Sequence, residues 1–145
     1  NNAMNENCPL CRTDGGELVW SNQHLRVILA NEPEYPGFCR VIWSEHLAEM
    51  TDLAIEERSL MMRTVMKVEQ AIIEVMHPDK VNLAALGNMV PHLHWHIIPR
   101  YQKDIAFPGS VWSAPQRDSD AKHLAEQLAK VPLLKKQLKD SLDVS

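Results

Sequence analysis

Three of the seven histidines stand at alternate positions in the run Pro91-His92-Leu93-His94-Trp95-His96-Ile97-Ile98-Pro99-Arg100. Imidazole titrates near neutrality, so much of it is unprotonated at physiological pH and free to act as a nucleophile, to donate a hydrogen bond or to ligate a metal. Alternation with Leu93, Trp95 and Ile97 has the period of a strand, which puts the imidazoles on one face and the bulky apolar groups on the other. In a strand rising about 3.3 Å per residue, His92 and His96 lie roughly 13 Å apart. A zinc ion needs each nitrogen at about 2 Å, so three rings in such a row cannot easily share one ion. A division of labour fits better, with one ring attacking, one orienting and one binding elsewhere. The plainer alternative is three hydrogen-bonded histidines on a sheet face.

Cys8-Pro9-Leu10-Cys11, ahead of a Gly15-Gly16 turn, is the second group with chemical potential. From the pair alone, zinc binding, thiol–disulfide exchange and a pair of idle thiols are all open. No adjoining βαβ pattern supports exchange. Three cysteines are an odd number and too few for a disulfide framework, so a reducing, cytoplasmic setting is the simpler expectation. Cys39 is expected to be a small buried strand residue.

Periodicity outlines the elements that must position these groups. Glu17–Trp20 and Leu25–Leu29 flank Ser21-Asn22-Gln23-His24 and read as a hairpin, with His24 a turn residue. The Pro- and Gly-bearing stretch 30–37 is a loop, and Phe38–Trp43 is a third strand. A long helix is expected over Ile55–Met76, because Met61, Val65, Val68, Ile72 and Val75 recur in steps of four and three. Glu56 and Glu57 suit its first turn, and His77-Pro78 closes it. Lys80–Leu86 reads as a buried strand, 101–117 as a surface-wrapping loop, Asp118-Ser119 as caps, 121–130 as a helix and Pro132 as the start of another.

Asn1-Asn2-Ala3 ahead of Met4 reads as an expression scar, and the rest suits one domain with a sizeable core. No apolar run approaches about 18 residues, and no charged segment leads into an apolar one at the N-terminus, so neither a membrane span nor a secretory signal is expected. A net charge of −4 with scattered Lys and Arg argues against a nucleic-acid surface.

His92-Leu93-His94-Trp95-His96-Ile97-Ile98 resembles the His-φ-His-φ-His-φ-φ signature of the histidine triad (HIT) superfamily of nucleotide hydrolases and transferases, and Pro99-Arg100 is common there too. The likeness runs from Cys8 to Arg100 and continues more weakly to Arg117. It implies an α+β fold: about five antiparallel strands, one long helix packed on the sheet, and C-terminal helices outside. It also implies a HIT domain over 4–117 (core 8–100), with 118–145 as a helical extension.

In function, the resemblance implies a phosphoramidase or dinucleotide polyphosphate hydrolase acting at the α-phosphate. His94 would be the nucleophile, His96 would bond the phosphoryl or leaving side, and His92 would hold the geometry. In zinc-containing bacterial relatives the knuckle pairs with a histidine after the third strand and with the first triad histidine. That implies a structural zinc on Cys8, Cys11, His46 and His92, with no redox cofactor. Asn31 would reach the ribose, and Asn88, or else Asn82, the phosphate. The expected partners are a purine nucleotide and a second copy of the chain, and Trp112 would either help complete the neighbour's site or anchor its own loop. Two departures, Phe38 for a usual histidine and Met89 for a usual hydroxyl residue, leave a nucleotide-binding module without turnover as the alternative.

Overall fold

The computed structural model describes residues 4–144; the expression scar expected at 1–3 lies outside them. Alternating and short apolar runs become five strands, β1 (Glu17–Ser21), β2 (Leu25–Leu29), β3 (Cys39–Trp43), β4 (Lys80–Ala84) and β5 (His94–Arg100). They form one antiparallel sheet in the order β1-β2-β3-β5-β4. A knuckle helix α1 (Pro9–Arg12), a long helix α2 (Ile55–Met76) and two C-terminal helices, α3 (Ala121–Leu128) and α4 (Val131–Leu142), complete the α+β fold.

The strand period sorts the two faces. Leu25, Val27, Val41, Trp43 and Ile97 point to one side, where Met61, Val65, Val68, Ile72 and Val75 of α2 meet them. Each such side chain removed from water contributes roughly 1.5–3 kcal/mol, so this stripe fixes α2 across the sheet. Leu134, Leu138 and Leu142 of α4 join the same core, and Lys67 Nζ ties the C-terminal end down through the carbonyls of Ser141 and Val144. The helix starts where Glu57 accepts a bond from the Ala54 N–H at 2.8 Å. It stops at His77, whose left-handed backbone (φ 48°) turns the chain before Pro78.

The opposite face carries Arg26, Ile28, Arg40, Ile42, His94, His96 and Ile98, and two irregular segments cover it. Cys8 and Leu10 pack on Ile28 and Ile42. Arg26 pins this N-terminal turn by donating to the carbonyls of Leu10, Thr13 and Asp14. The stretch 101–117 is bound through Arg100, which is buried with Asp104 and contacts it through both Nε and Nη2 at 3.0 and 3.1 Å. Arg100 also donates to Asn82 Oδ1 at 2.8 Å and to the Gly109 carbonyl at 2.7 Å. Burial pushes the Asp104 carboxyl up, but the Arg100 guanidinium and the N–H groups of Tyr101 and Phe107 overcome it and hold the group below the usual carboxylate range. Asp104→Ala strands this guanidinium without its countercharge. It is expected to cost about 3–5 kcal/mol in urea unfolding, with 101–117 becoming the first segment cut by protease.

Several boundaries differ from the sequence reading. The triad strand begins at His94, so His92 precedes the ladder; its N–H bonds the Val90 carbonyl at 2.8 Å in a turn. The fourth strand stops at Ala84 and the third starts at Cys39. Helix α3 is capped by Asp120, which accepts from the His123 N–H, and not by Asp118 or Ser119. That helix ends at Leu128, and Pro132 is the second residue of α4.

Candidate active site and metal centre

The knuckle places two thiols side by side because α1 is a single turn, closed by the Cys11 and Arg12 N–H groups on the Cys8 carbonyl. Their partners come from either side of the sheet's end. His46 follows β3 and His92 precedes β5, and backbone bonds from Trp43 N to Leu93 O (3.1 Å) and from Leu93 N to Leu47 O (2.8 Å) clamp the two segments together. The ligand atoms of Cys8, Cys11, His46 and His92 all lie within 4.8 Å of one another. Sulfur-to-nitrogen separations are 3.5 Å (Cys8 to His92), 3.5 Å (Cys11 to His46) and 3.4 Å (Cys11 to His92), and the two Nδ1 atoms are 3.4 Å apart. Zinc bonds of about 2.3 Å to sulfur and 2.0–2.1 Å to nitrogen give tetrahedral edges of about 3.6 Å for S···N and about 3.3 Å for N···N. The donor set and the spacing therefore fit a closed four-coordinate site.

Buried His92 turns its other nitrogen to the Trp43 carbonyl at 2.5 Å. A carbonyl only accepts, so Nε2 carries the proton and Nδ1 has the free lone pair that a metal needs. The carbonyl of His92 performs the same service for His94, whose Nδ1 lies 2.5 Å from it. Nδ1–H is therefore the donor, and Nε2 of His94 has the lone pair. Burial, the dominant cause, and the Arg40 charge lower the affinity of His94 for a proton, while the His92 carbonyl opposes them. A free-base imidazole with one nitrogen tethered is the arrangement a nucleophile requires.

His96 is set differently. Its ring packs edge-on against His94 (4.9 Å between centroids), Phe38 (5.7 Å) and Trp112 (5.0 Å). Its Nδ1 faces Arg40 Nε at 3.3 Å. Burial, then His94 and Arg40, push its pKa down to about 3, so it is neutral at physiological pH. Trp112 thus contacts the histidine of its own chain while remaining half exposed.

Two clefts adjoin this row. One, of about 420 Å³, is lined by Glu49, Met50, Thr51, Leu86, Gly87 and His94. The other, of about 490 Å³, includes Asn82, Ala84, Ile98, Val111 and Trp112. Asn82 sits on the histidine-bearing face, opposite Ile98, with its side-chain oxygen engaged by Arg100. Asn88 is exposed in the loop leading to His92, beside the almost fully exposed Met89. Asn31 lines a separate cleft of about 430 Å³ with Pro33, Pro36, Leu124 and Leu128. The structure therefore brings His94 and His96 together and groups His92 with the knuckle, and the three asparagines stand at different places around them. Arg40 was missed in the sequence, although a cation inside the apolar run Phe38-Cys39-Arg40-Val41-Ile42-Trp43 is a visible signal.

A five-stranded antiparallel sheet with paired imidazoles on an inner strand, braced by a Cys₂His₂ cluster, defines a histidine-based site on a small α+β scaffold. Residues 15–103 match the HIT domain family model, and the chain belongs to that family. It is 28% identical over 137 residues to Protein hit of Bacillus subtilis (strain 168), covering 86% of this chain and 94% of that one. It is 29% identical over 109 residues to the asymmetrical bis(5'-nucleosyl)-tetraphosphatase of Schizosaccharomyces pombe, covering 71% of this chain and 60% of that one. Among solved structures, a histidine triad protein from Marinobacter aquaeolei VT8 aligns with a TM-score of 0.70 and 29% identity, over 93% of this chain and 98% of that one. A Zn-bound histidine triad family protein from Mycobacterium smegmatis shares the fold, with a TM-score of 0.64 and 23% identity, over 96% and 98% of the two chains.

Proposed function

We propose that the protein hydrolyses nucleoside phosphoramidates or dinucleotide polyphosphates at the α-phosphorus through a nucleotidyl-His94 intermediate. The observation that carries this reading is the Nδ1–H bond from His94 to the His92 carbonyl, which leaves Nε2 as a fixed lone pair. Attack forms an Nε2–P bond and breaks the bond from phosphorus to the amine or phosphate leaving group. The ring keeps its Nδ1 proton, so the adduct is a phosphorylated imidazolium. Water then attacks phosphorus, the N–P bond breaks, and the nucleoside monophosphate leaves with His94 restored.

His96 has one ring proton and cannot give it up without becoming an imidazolide. Its role is to bond a phosphoryl oxygen, and the leaving amine takes its proton from water. Asn82 and Asn88 are the proposed phosphate-side contacts and Asn31 the ribose contact. A purine nucleotide is the proposed substrate class, in keeping with the tetraphosphatase name of one relative. Zinc is the proposed metal at Cys8, Cys11, His46 and His92, where it would close the N-terminal knuckle onto the segment holding His92 and supply rigidity. The working protein is proposed to be a cytoplasmic homodimer. Among the described residues no helix is long and apolar enough to cross a membrane.

One specific observation favours the alternative of a nucleotide-binding module. The position where relatives carry a phosphate-touching hydroxyl holds Met89, which is 95% exposed and has no hydroxyl to offer. Intact-mass spectrometry after rapid acid-free quenching with adenosine 5'-phosphoramidate separates the two readings. The hydrolase gives a nucleotidyl adduct on the wild type that is absent from His94→Ala, together with steady AMP release. Binding with neither adduct nor AMP would replace the hydrolase by the module.

A further inference from the structure

We infer that Arg40 is a positioning residue of the phosphoryl site, holding His96 as an Nε2–H donor and keeping an unneutralised cation beside the triad. The inference rests on the reading of His94 and His96 as that site. Arg40 stands directly opposite His96 in the β3–β5 ladder, and its Nε lies 3.3 Å from His96 Nδ1. A guanidinium can only donate, so Nδ1 accepts and the single proton of the neutral ring sits on Nε2.

The guanidinium is itself held in place. Nη1 donates to the Gly15 carbonyl at 3.2 Å, and the Phe38 ring lies 5.3 Å from the guanidinium carbon. Gly15 has a left-handed backbone (φ +84°), and a Cβ there would come within 2.8 Å of a Leu10 methyl, so this carbonyl is presented by a turn that requires glycine. Arg40 therefore links the turn after the cysteine knuckle to the ring of His96.

Its charge is the other half of the argument. Phe38, Ile42 and His96, on its own face of the sheet, are all buried. Burial lowers its proton affinity, and Glu32 opposes this only through space. Among the described residues no carboxylate forms an ion pair with Arg40. A half-buried cation is costly unless a countercharge arrives. An anionic phosphoryl group against His94 and His96 supplies one.

The test is a long-range proton–nitrogen NMR spectrum of the full chain, with wild type beside Arg40→Leu and Arg40→Lys, paired with kcat and KM on adenosine 5'-phosphoramidate. In the wild type, His96 is expected to show a protonated Nε2 and a bare Nδ1. In Arg40→Leu the ring redistributes between tautomers, and kcat falls about 10- to 100-fold with a smaller change in KM. Arg40→Lys, which keeps a cation and a donor, falls between the two. A wild-type His96 protonated at Nδ1 would overturn the inference before any variant is needed. So would an unchanged tautomer, or an undiminished kcat, in a folded Arg40→Leu. Absence of turnover in the wild type would instead remove the hydrolase reading, and the spectrum alone would then judge Arg40.

Discussion

His94→Ala is expected to lower kcat on a nucleoside phosphoramidate by at least about 10⁴-fold, equivalent to roughly 5.5 kcal/mol of transition-state stabilisation. The size follows from the proposed role of His94 as nucleophile. Removing the proposed attacking nitrogen removes the covalent route, and water must then displace the leaving group from phosphorus directly. Truncation leaves the metal cluster and the α2 core untouched, since neither uses the His94 ring. Melting temperature and zinc content should stay near wild type, and affinity for a non-hydrolysable analogue should persist. His96→Gln keeps an N–H donor near the same place and is expected to lose only about 10²-fold, the usual effect of one donor to a developing charge. Stopped assays on the three proteins check the order. A His94→Ala enzyme within tenfold of wild type would transfer the nucleophile's role elsewhere.

Cys8→Ser, or prolonged chelation of the wild type, is expected to produce the largest change in stability. A closed Cys₂His₂ site has an apparent binding free energy on the order of 10 kcal/mol. The sheet and α2 have their own apolar core, so part of the fold survives without it. Loss of about half that energy, near 5 kcal/mol, would lower Tm by roughly 15 °C in a chain of this size. The damage should be local first. With Cys8 and Leu10 released from Ile28 and Ile42, the N-terminal turn becomes protease-sensitive before the sheet does. Metal analysis of the purified protein should give about one zinc per chain, lost as pH falls and the thiolates and imidazoles take up protons. A chelated protein that melts like the untreated one would reduce the cluster to an ornament of the fold.

The parts of this architecture that depend on local period were legible in the sequence. The Met61-to-Val75 stripe marked α2 from Ile55 to Met76, where the structure has it, and five strands with outer helices followed from the triad signature. Features that depend on what a residue meets across the sheet were not legible. His92 continues the His-x-His-x-His rhythm, yet the ladder starts only at His94. The reason lies in Leu93, whose N–H bonds the Leu47 carbonyl while the Trp43 carbonyl that would have paired with it is taken by the His92 ring, contacts that no period encodes. Arg40 could be flagged only as an oddity in an apolar strand, because its meaning comes from the β3–β5 register that sets it against His96. For Trp112 the sequence is compatible both with packing on its own sheet and with reaching a neighbour's site. Its contact with His96 depends on the Arg100–Asp104 pair that folds 101–117 back. The cluster of Cys8, Cys11, His46 and His92 came from the family resemblance, and the spacing of Cys8 and Cys11 alone left three readings open.

The proposed metal cluster also sets an order in time. Cys8 and His92 are 84 positions apart in the chain, so during synthesis the two thiols are made long before the last ligand. At about 5–20 residues per second the interval is on the order of 4–17 seconds. Through it the knuckle is an open dithiol, able to capture a metal weakly or to be oxidised, but unable to close. Completion of the cluster and delivery of the proposed nucleophile then come almost together, because His94 follows His92 by two residues. A nascent chain that gains the last ligand of the proposed metal site is two residues from His94, the proposed nucleophile.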